Sequence, residues 1–365
     1  MPNWLESMQQ TFEYYIVDPG TWRDASRLNT VKKCTINRDS TVDTLGSATI
    51  DIVDSVGECY VRSYLITVQN GVKEKHPLGT HLVQTPSSTF NGKIRDVAMD
   101  AYTPLLELKE NPPPLGYSVQ KGKNVMYEAY LLTRERVRAP VVAANNSTTL
   151  YHDFVANTSD NWLTFNKDLI RNAKYAYDID EMGRILFAPQ QDTASLQPVW
   201  TYDDSNSSIL HPEISVNHDM FGIPNIVEII YSRGFYDPDT DSTLYSYTVR
   251  NDDPNSPTST VSRGRPITHR EIDPNLIGIS GTDTLITKRI VHNYADQLLR
   301  DMSSLEYTIT YTHGYCGTRL GDCVRLNYNR AGLTDIKAKI VSQSIKCEPG
   351  CPVTEKAVFT NKLWR

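Results

Sequence analysis

Alternating apolar and polar positions dominate the first hundred residues. Residues 47–52 place Ala48, Ile50 and Ile52 on one face and polar side chains on the other, a pattern that predicts a half-buried strand. A longer aromatic and β-branched strand is predicted over 59–68, and Asn70-Gly71 after it predicts a tight hairpin turn. Short strands separated by turn residues are typical of a small barrel or sandwich. We therefore predict a β-barrel over residues 1–111.

Three consecutive prolines at 112–114 mark the next boundary, because proline cannot donate the hydrogen bonds of a helix or a sheet. Beyond them the apolar residues recur with helical spacing. Asn124 is the predicted cap of a helix over 125–138, and Ser159 or Asp160 is the predicted cap of a second helix that reaches about residue 175. A hairpin is predicted over 177–188, turning at 181–183. Together these elements predict a small α+β domain over 112–211.

Strand patterns return after residue 212. They predict strands over 226–231, 244–249, 305–311, 323–328, 335–345 and 354–359, which would form a second barrel over 212–249 and 305–365. An insertion over 250–304 interrupts it, beginning as polar coil and ending in an amphipathic helix over 284–302. The predicted fold class is mainly β with α+β insertions.

Composition and charge exclude several classes of protein. The 365-residue chain has a formal net charge of -6, whereas gripping nucleic-acid phosphates requires clustered Lys and Arg. Its apolar runs are much shorter than a membrane-spanning helix needs. The N-terminal sequence lacks the basic and apolar regions of a signal peptide. We therefore expect a soluble protein that is made in a cytoplasm, where its six cysteines remain free thiols.

Motifs for catalysis are missing from the sequence. It contains neither a G-x-S-x-G nucleophile turn nor a glycine-rich phosphate loop. The adjacent pairs His152-Asp153 and His218-Asp219 do not make a base with its orienting acid, because neighbours on a strand point in opposite directions. Solvated loop histidines are the favoured interpretation. With many strand edges to cover and no catalytic set, the chain is predicted to be an assembly component and not an enzyme, with no cofactor.

Other clusters allow either a chemical role or a plain structural one. Two loops resemble calcium sites: Asp178, Asp180 and Gly183, and Asp237, Asp239 and Asp241. Neither has the carboxylate that an EF-hand loop needs at its twelfth position, so polar hairpin tips are favoured. The run Arg263-Gly264-Arg265 is short and is interpreted as a solvated loop, with contact to an acidic partner surface as the alternative.

Four cysteines near the C-terminus are weak candidates for metal ligands: Cys316, Cys323, Cys347 and Cys351. Four thiolates could bind zinc or an iron–sulfur cluster, but the spacing is not the usual C-x2-C. Free thiols, or one labile disulfide across the 347–351 turn, are the favoured interpretation.

The order of these blocks resembles the hub proteins of phage baseplates and tails, the family of the contractile-tailed myophage hubs and the PBSX-type prophage tail proteins. Three stretches carry the resemblance: 45–51 with 60–62 in the first barrel, 200–210 with 223–228, and 253–257 followed by a helix and 321–326. It covers essentially the whole chain, and its specificity comes from the order of the stretches.

The resemblance implies two tube-type barrels in each subunit, so that three subunits place six barrels in a ring. That ring would match a six-fold tail tube, or a distal tail protein, on one side and a three-fold spike, fibre or tip protein on the other. The implied protein is a homotrimeric structural component of the virion tail tip, assembled in the host cytoplasm. It would enclose a channel through which DNA passes without specific binding, and the negative net charge suits such a channel.

The sequence leaves two other functions open. One is a receptor- or glycan-binding tail-tip protein, with exposed aromatic residues such as Tyr236, Tyr245 and Tyr247 stacking on sugars. The other is a cell-wall hydrolase, which would need an acid pair in a cleft. No part of the sequence resembles a lytic domain.

Overall fold

The computed structural model describes residues 2–361 except 54–55, 91, 94, 192, 206–208, 219–220, 233, 275, 277–283 and 304. Strands make up 46% of the chain and helices 16%, which confirms a mainly β fold with small helical parts. The chain divides into two compact units. The larger unit contains residues 1–215 and 310–357, and the smaller unit contains residues 216–309 and 358–365.

Strands and helices alternate irregularly along the chain. The strands are β1 Gln9–Asp18, β2 Arg23–Arg27, β3 Val31–Asp39, β4 Gly46–Val53, β5 Cys59–Gln69, β6 Val72–Phe90, β7 Arg95–Tyr102, β8 Ser118–Val119, β9 Phe154–Val155, β10 Tyr175–Ile179, β11 Ile185–Pro189, β12 Pro198–Asp203, β13 Leu210–His218, β14 Ile226–Tyr231, β15 Tyr245–Arg250, β16 Thr268–Ile272, β17 Leu305–Gly314, β18 Cys323–Tyr328, β19 Leu333–Lys346 and β20 Pro352–Asn361. The helices are α1 Leu106–Lys109, α2 Val125–Arg134, α3 Trp162–Arg171, α4 Thr260–Arg263 and α5 Thr284–Met302.

Strands β1 to β7 form the N-terminal lobe of a large sheet, paired in the order β3-β4-β7-β6-β5-β1-β2. The predicted strands over 47–52 and 59–68 are confirmed as β4 and β5. The Asn70-Gly71 turn between β5 and β6 is confirmed too, because both residues have the positive φ that such a turn needs (51° and 79°). Alternate apolar side chains of these strands, among them Ile50, Leu65 and Met99, are fully buried in one core.

The small α+β part follows, with α2 and α3 packed together beside the β10–β11 hairpin. Asn124 caps α2 as predicted, since its side chain accepts from the Tyr127 N–H at 2.9 Å. The second cap is Asn161 and not Ser159 or Asp160, because Asn161 forms a reciprocal capping box with Thr164. The side chain of Asp160 instead accepts from the N–H of Asn157 at 2.8 Å. Each helix also ends about four residues before the predicted position.

The C-terminal lobe contains β12, β13 and β17 to β20. Strand β19 connects it to the N-terminal lobe, because the two parts of this long strand have different partners. Residues 333–339 pair with β18, and residues 342–346 pair with β3. Backbone hydrogen bonds therefore make the two lobes one continuous sheet, and we call the β3–β19 pairing the seam.

The smaller unit corrects one sequence prediction. Strands β14 and β15, predicted to be part of the second barrel, form a separate three-stranded sheet with β16. Their inward side chains, including Val227 and Ile229, pack against the apolar stripe of α5 at Val291, Ala295 and Leu299. The pattern of a strand predicts which side chains are buried but does not identify the element that covers them. The remaining domain boundaries stay a prediction.

None of the helices in the described ranges is long and apolar enough to cross a membrane.

Candidate functional site

The predicted cysteine ligands have different surroundings in the structure. Cys316 Sγ lies 3.8 Å from His313 Nδ1, whereas the Cys347 N–H donates to the Cys34 carbonyl at the seam. All six cysteines are free thiols. Among the described residues, no three His, Cys, Asp or Glu side chains form a group placed to hold a metal ion. The structure therefore does not bring the four predicted ligands into one group: Cys316, Cys323, Cys347 and Cys351.

The first predicted calcium loop has arginine side chains beside its carboxylates. Asp180 accepts from the backbone N–H of Arg184 at 2.8 Å and from its Nε at 2.5 Å. Asp178 lies 3.6 Å from Arg319. Burial raises the pKa of Asp178 even though Arg319 opposes that shift. The positive charge in this loop is thus supplied by the protein itself.

The second predicted calcium loop is similar. Lys288 Nζ donates to Asp237 at 2.7 Å, and this hydrogen bond holds the pKa of Asp237 below its usual value. Asp241 accepts from the Tyr236 hydroxyl at 3.0 Å. A lysine therefore takes the position beside the carboxylates.

Two of the three tyrosines predicted as candidates for sugar stacking already stack within the chain. The Tyr247 ring lies 3.8 Å from that of His292 at an angle of 25°. The Tyr245 ring also stacks on His292, and its hydroxyl is hydrogen-bonded to His292 Nε2. Tyr236 is different, with 53% of its surface exposed.

The Arg263-Gly264-Arg265 run closes a turn. Gly264 ends α4 with φ of 63°, and the Arg265 carbonyl accepts from the fully buried Asn225 side chain at 3.0 Å. This contact gives the loop a structural role.

The histidine–acid neighbours form no pair that the structure describes. His152 is exposed, and Asp153 accepts from the backbone N–H of Lys121 at 2.7 Å. Asp219, the neighbour of His218, lies outside the described residues.

Sequence reasoning missed a polar network that begins where the β10–β11 hairpin contacts the N-terminal lobe. The Met182 carbonyl at the hairpin tip accepts from Trp22 Nε1 at 2.8 Å and from Arg62 Nη2 at 3.1 Å. The Arg62 side chain is 1% exposed. It also donates to Thr80 at 2.9 Å and to Asp24 at 2.8 Å. A guanidinium can be buried here because its donors have fixed partners.

The network continues through two arginines to the C-terminal lobe. Arg319 Nε donates to Glu181 at 2.8 Å, and Arg38 Nη2 lies 3.4 Å from the same Glu181 oxygen. Arg38 also donates to Gln343 of β19 at 3.1 Å. Burial works to lower the pKa of Arg319, but Glu181 and Asp178 raise it above its usual value. The hairpin tip is thus bonded to both lobes of the sheet.

Glu355 is the end of the network, in the core of the C-terminal lobe. Its carboxylate accepts from Tyr311 at 2.6 Å, Thr318 at 2.7 Å and Gln343 at 2.6 Å. His313 Nε2 lies 3.2 Å from it, and both side chains are 0% exposed. Such a buried charge is tolerated because all of these donors surround it.

The charges of this pair depend on each other. Burial works to lower the pKa of His313, but its hydrogen bonds with Cys316 and Glu355 raise the pKa to about 10. Burial likewise works to raise the pKa of Glu355, and the hydrogen bond from His313 brings it below the usual value. At neutral pH both groups are therefore ionised. The His313–Glu355 pair joins strands β17 and β20. Both of its side chains are fully buried, so the pair presents no exposed group that could react with a substrate.

One signal in the sequence could have indicated these residues. His313 follows Ile309 and Tyr311 on the buried face of β17, and Glu355 lies between Val353 and Ala357 on that of β20. A charged side chain at a core position of a strand pattern indicates a buried pair. The identity of the partner needs the fold.

Comparisons with known proteins show the same fold in tail proteins. No family model and no curated protein matches the sequence. The structure of a tail protein from Neisseria meningitidis aligns over 97% of this chain and 98% of its own, with a TM-score of 0.63 and 12% identity. A 43 kDa tail protein of prophage MuSo2 from Shewanella oneidensis aligns over 96% and 98%, with a TM-score of 0.63 and 9% identity.

A chain of the Francisella PdpA–VgrG complex also aligns, over 97% of this chain and 58% of its own, with a TM-score of 0.57 and 12% identity. The chain therefore has the fold of phage and prophage tail proteins, shared with a component of that complex.

Proposed function

We propose that the protein is a structural tail component that forms a homotrimeric hub at the tail tip. The observation that carries this proposal is the fold similarity to two tail proteins over almost their entire length. In the proposed arrangement, the N-terminal and C-terminal lobes are the two tube-type barrels of each subunit. Three subunits then present six barrels to the tail tube and three-fold symmetry to a spike, fibre or tip protein.

The polar network supports a mechanical role. Hydrogen bonds and ion pairs connect the hairpin tip to both lobes, and the seam adds a backbone ladder between the lobes. A subunit whose lobes are bonded in this way keeps them at a fixed spacing, which symmetry matching requires. Strands β2 and β13 stand at the two ends of the sheet's strand order. Their edges are suited to pairing with neighbouring subunits.

Mass measurement of the purified full-length protein tests the oligomer. We expect a species of three times the 41.3 kDa chain mass, and antibody labelling of intact particles should place it at the end of the tail. A monomer at all concentrations, together with labelling elsewhere on the particle, would contradict the hub.

The same preparation separates the other functions. Saturable glycan binding that is lost in Tyr236→Ala would support a sugar-binding tip protein, and clearing of a cell-wall gel would support a hydrolase. We expect neither result, because two of the three tyrosines stack within the chain and the buried acid Glu355 is bonded on all sides.

A further inference from the structure

Two cysteines face each other at the seam between the lobes. The antiparallel register of β3 and β19 pairs Lys346 with Thr35, so the next position pairs Cys347 with Cys34. The Cys347 N–H donates to the Cys34 carbonyl at 3.0 Å, which continues the ladder to this pair. Directly opposed residues of an antiparallel ladder have Cα atoms about 5.5 Å apart, within the range that a disulfide spans.

The side chains of the pair lie at the same core. Cys34 is part of the N-terminal core, and Cys347 packs against it. Cys34 is 1% exposed, whereas Cys347 is partly exposed, so Cys347 is the one of the two that meets solvent.

We propose that Cys34 and Cys347 form a disulfide when the protein meets a low-molecular-weight disulfide such as oxidised glutathione. The Cys347 thiolate attacks one sulfur of that molecule and releases one small thiol, which leaves a mixed disulfide. The Cys34 thiolate then attacks Cys347 Sγ and releases the second. Two protein thiols lose two protons and two electrons, and the small disulfide is reduced to two thiols.

This pairing differs from a bridge across the 347–351 turn. Cys351 ends the turn, where its N–H donates to the Glu348 carbonyl at 2.8 Å, whereas Cys34 lies directly across the ladder from Cys347. Burial raises the pKa of Cys351 to about 12, and the neighbouring Cys34 together with burial raises the pKa of Cys347. Exchange is therefore slow at neutral pH and accelerates as the pH rises.

The bond would connect the two lobes covalently. Its two ends lie in strands from opposite parts of the chain, so it closes a loop that contains most of the sequence, and long loops gain most from closure in the chain-entropy model. The inference concerns this seam alone and does not depend on the proposed assembly.

The test incubates the native full-length protein with oxidised glutathione at pH 8.5, blocks free thiols under native conditions, and maps cross-linked peptides by mass spectrometry without reduction. We expect a linked pair of peptides that contain Cys34 and Cys347, and a thermal midpoint higher by about 5–10 °C. Cys351→Ser should keep the link, and Cys347→Ser should abolish it. A Cys347–Cys351 link, a link between chains, or unmodified Cys34 and Cys347 after prolonged incubation would each overturn the proposal.

Discussion

The His313→Gln variant is expected to lose about 3–5 kcal/mol of the free energy of unfolding, because removing one partner leaves the Glu355 carboxylate as an unpaired charge in the core. Denaturant unfolding of the full chain measures the loss. His152→Gln makes the same chemical change at an exposed position and should alter stability by less than about 0.5 kcal/mol. The double variant His313→Gln/Glu355→Gln should recover part of the lost stability, because neither side chain then carries a charge in the core.

The pair also predicts how stability changes with pH. The pKa of His313 is raised to about 10, so its contribution is complete below the unfolded value near 6.5 and declines as the pH rises toward 10. The pKa of Glu355 is lowered, so its contribution is present above the unfolded value near 4.5 and declines below it. The wild-type protein should therefore lose stability between about pH 6.5 and about pH 10, and His313→Gln should lack this decline. An equal decline in both proteins would show that the charge of His313 does not contribute.

The Gly183→Ala variant is expected to detach the hairpin tip from the N-terminal lobe. Gly183 has φ of 75°, and an added Cβ would lie 2.7 Å from Thr80 Cβ and 3.1 Å from Trp22 Cζ2. The strain of φ and the steric conflict together should cost roughly 2–4 kcal/mol. The neighbouring bonds from Trp22 and Arg62 to Met182 would weaken with it.

Gly122→Ala is the matched control, because Gly122 has a similar φ of 82° but nothing within 4 Å of the added Cβ. It should show the cost of φ alone, roughly 1–2 kcal/mol. Thermal unfolding measures both variants, and tryptophan fluorescence, to which Trp22 contributes as one of five tryptophans, follows the change at the hairpin tip. Equal losses in the two variants would mean that the close approach at Gly183 has no energetic role.

Local patterns in the sequence predicted most individual elements correctly. The helix over 284–302, the cap at Asn124 and the turn at Asn70-Gly71 each depend on residues close together in the chain. Helical spacing, a capping side chain and positive φ are local properties, so no knowledge of the rest of the fold is needed to recognise them.

Partners distant in the chain depended on the tertiary structure. The strand patterns of β14 and β15 are visible in the sequence, yet their sheet and their covering helix α5 are not. The same holds for the polar network. Arg62 and Met182, or His313 and Glu355, come together only when strands from different parts of the chain are folded into place. Burial and charge pairing are properties of the folded chain. The spacing of apolar residues therefore identified the strands, whereas the packing of the sheet determined which strands and side chains are partners.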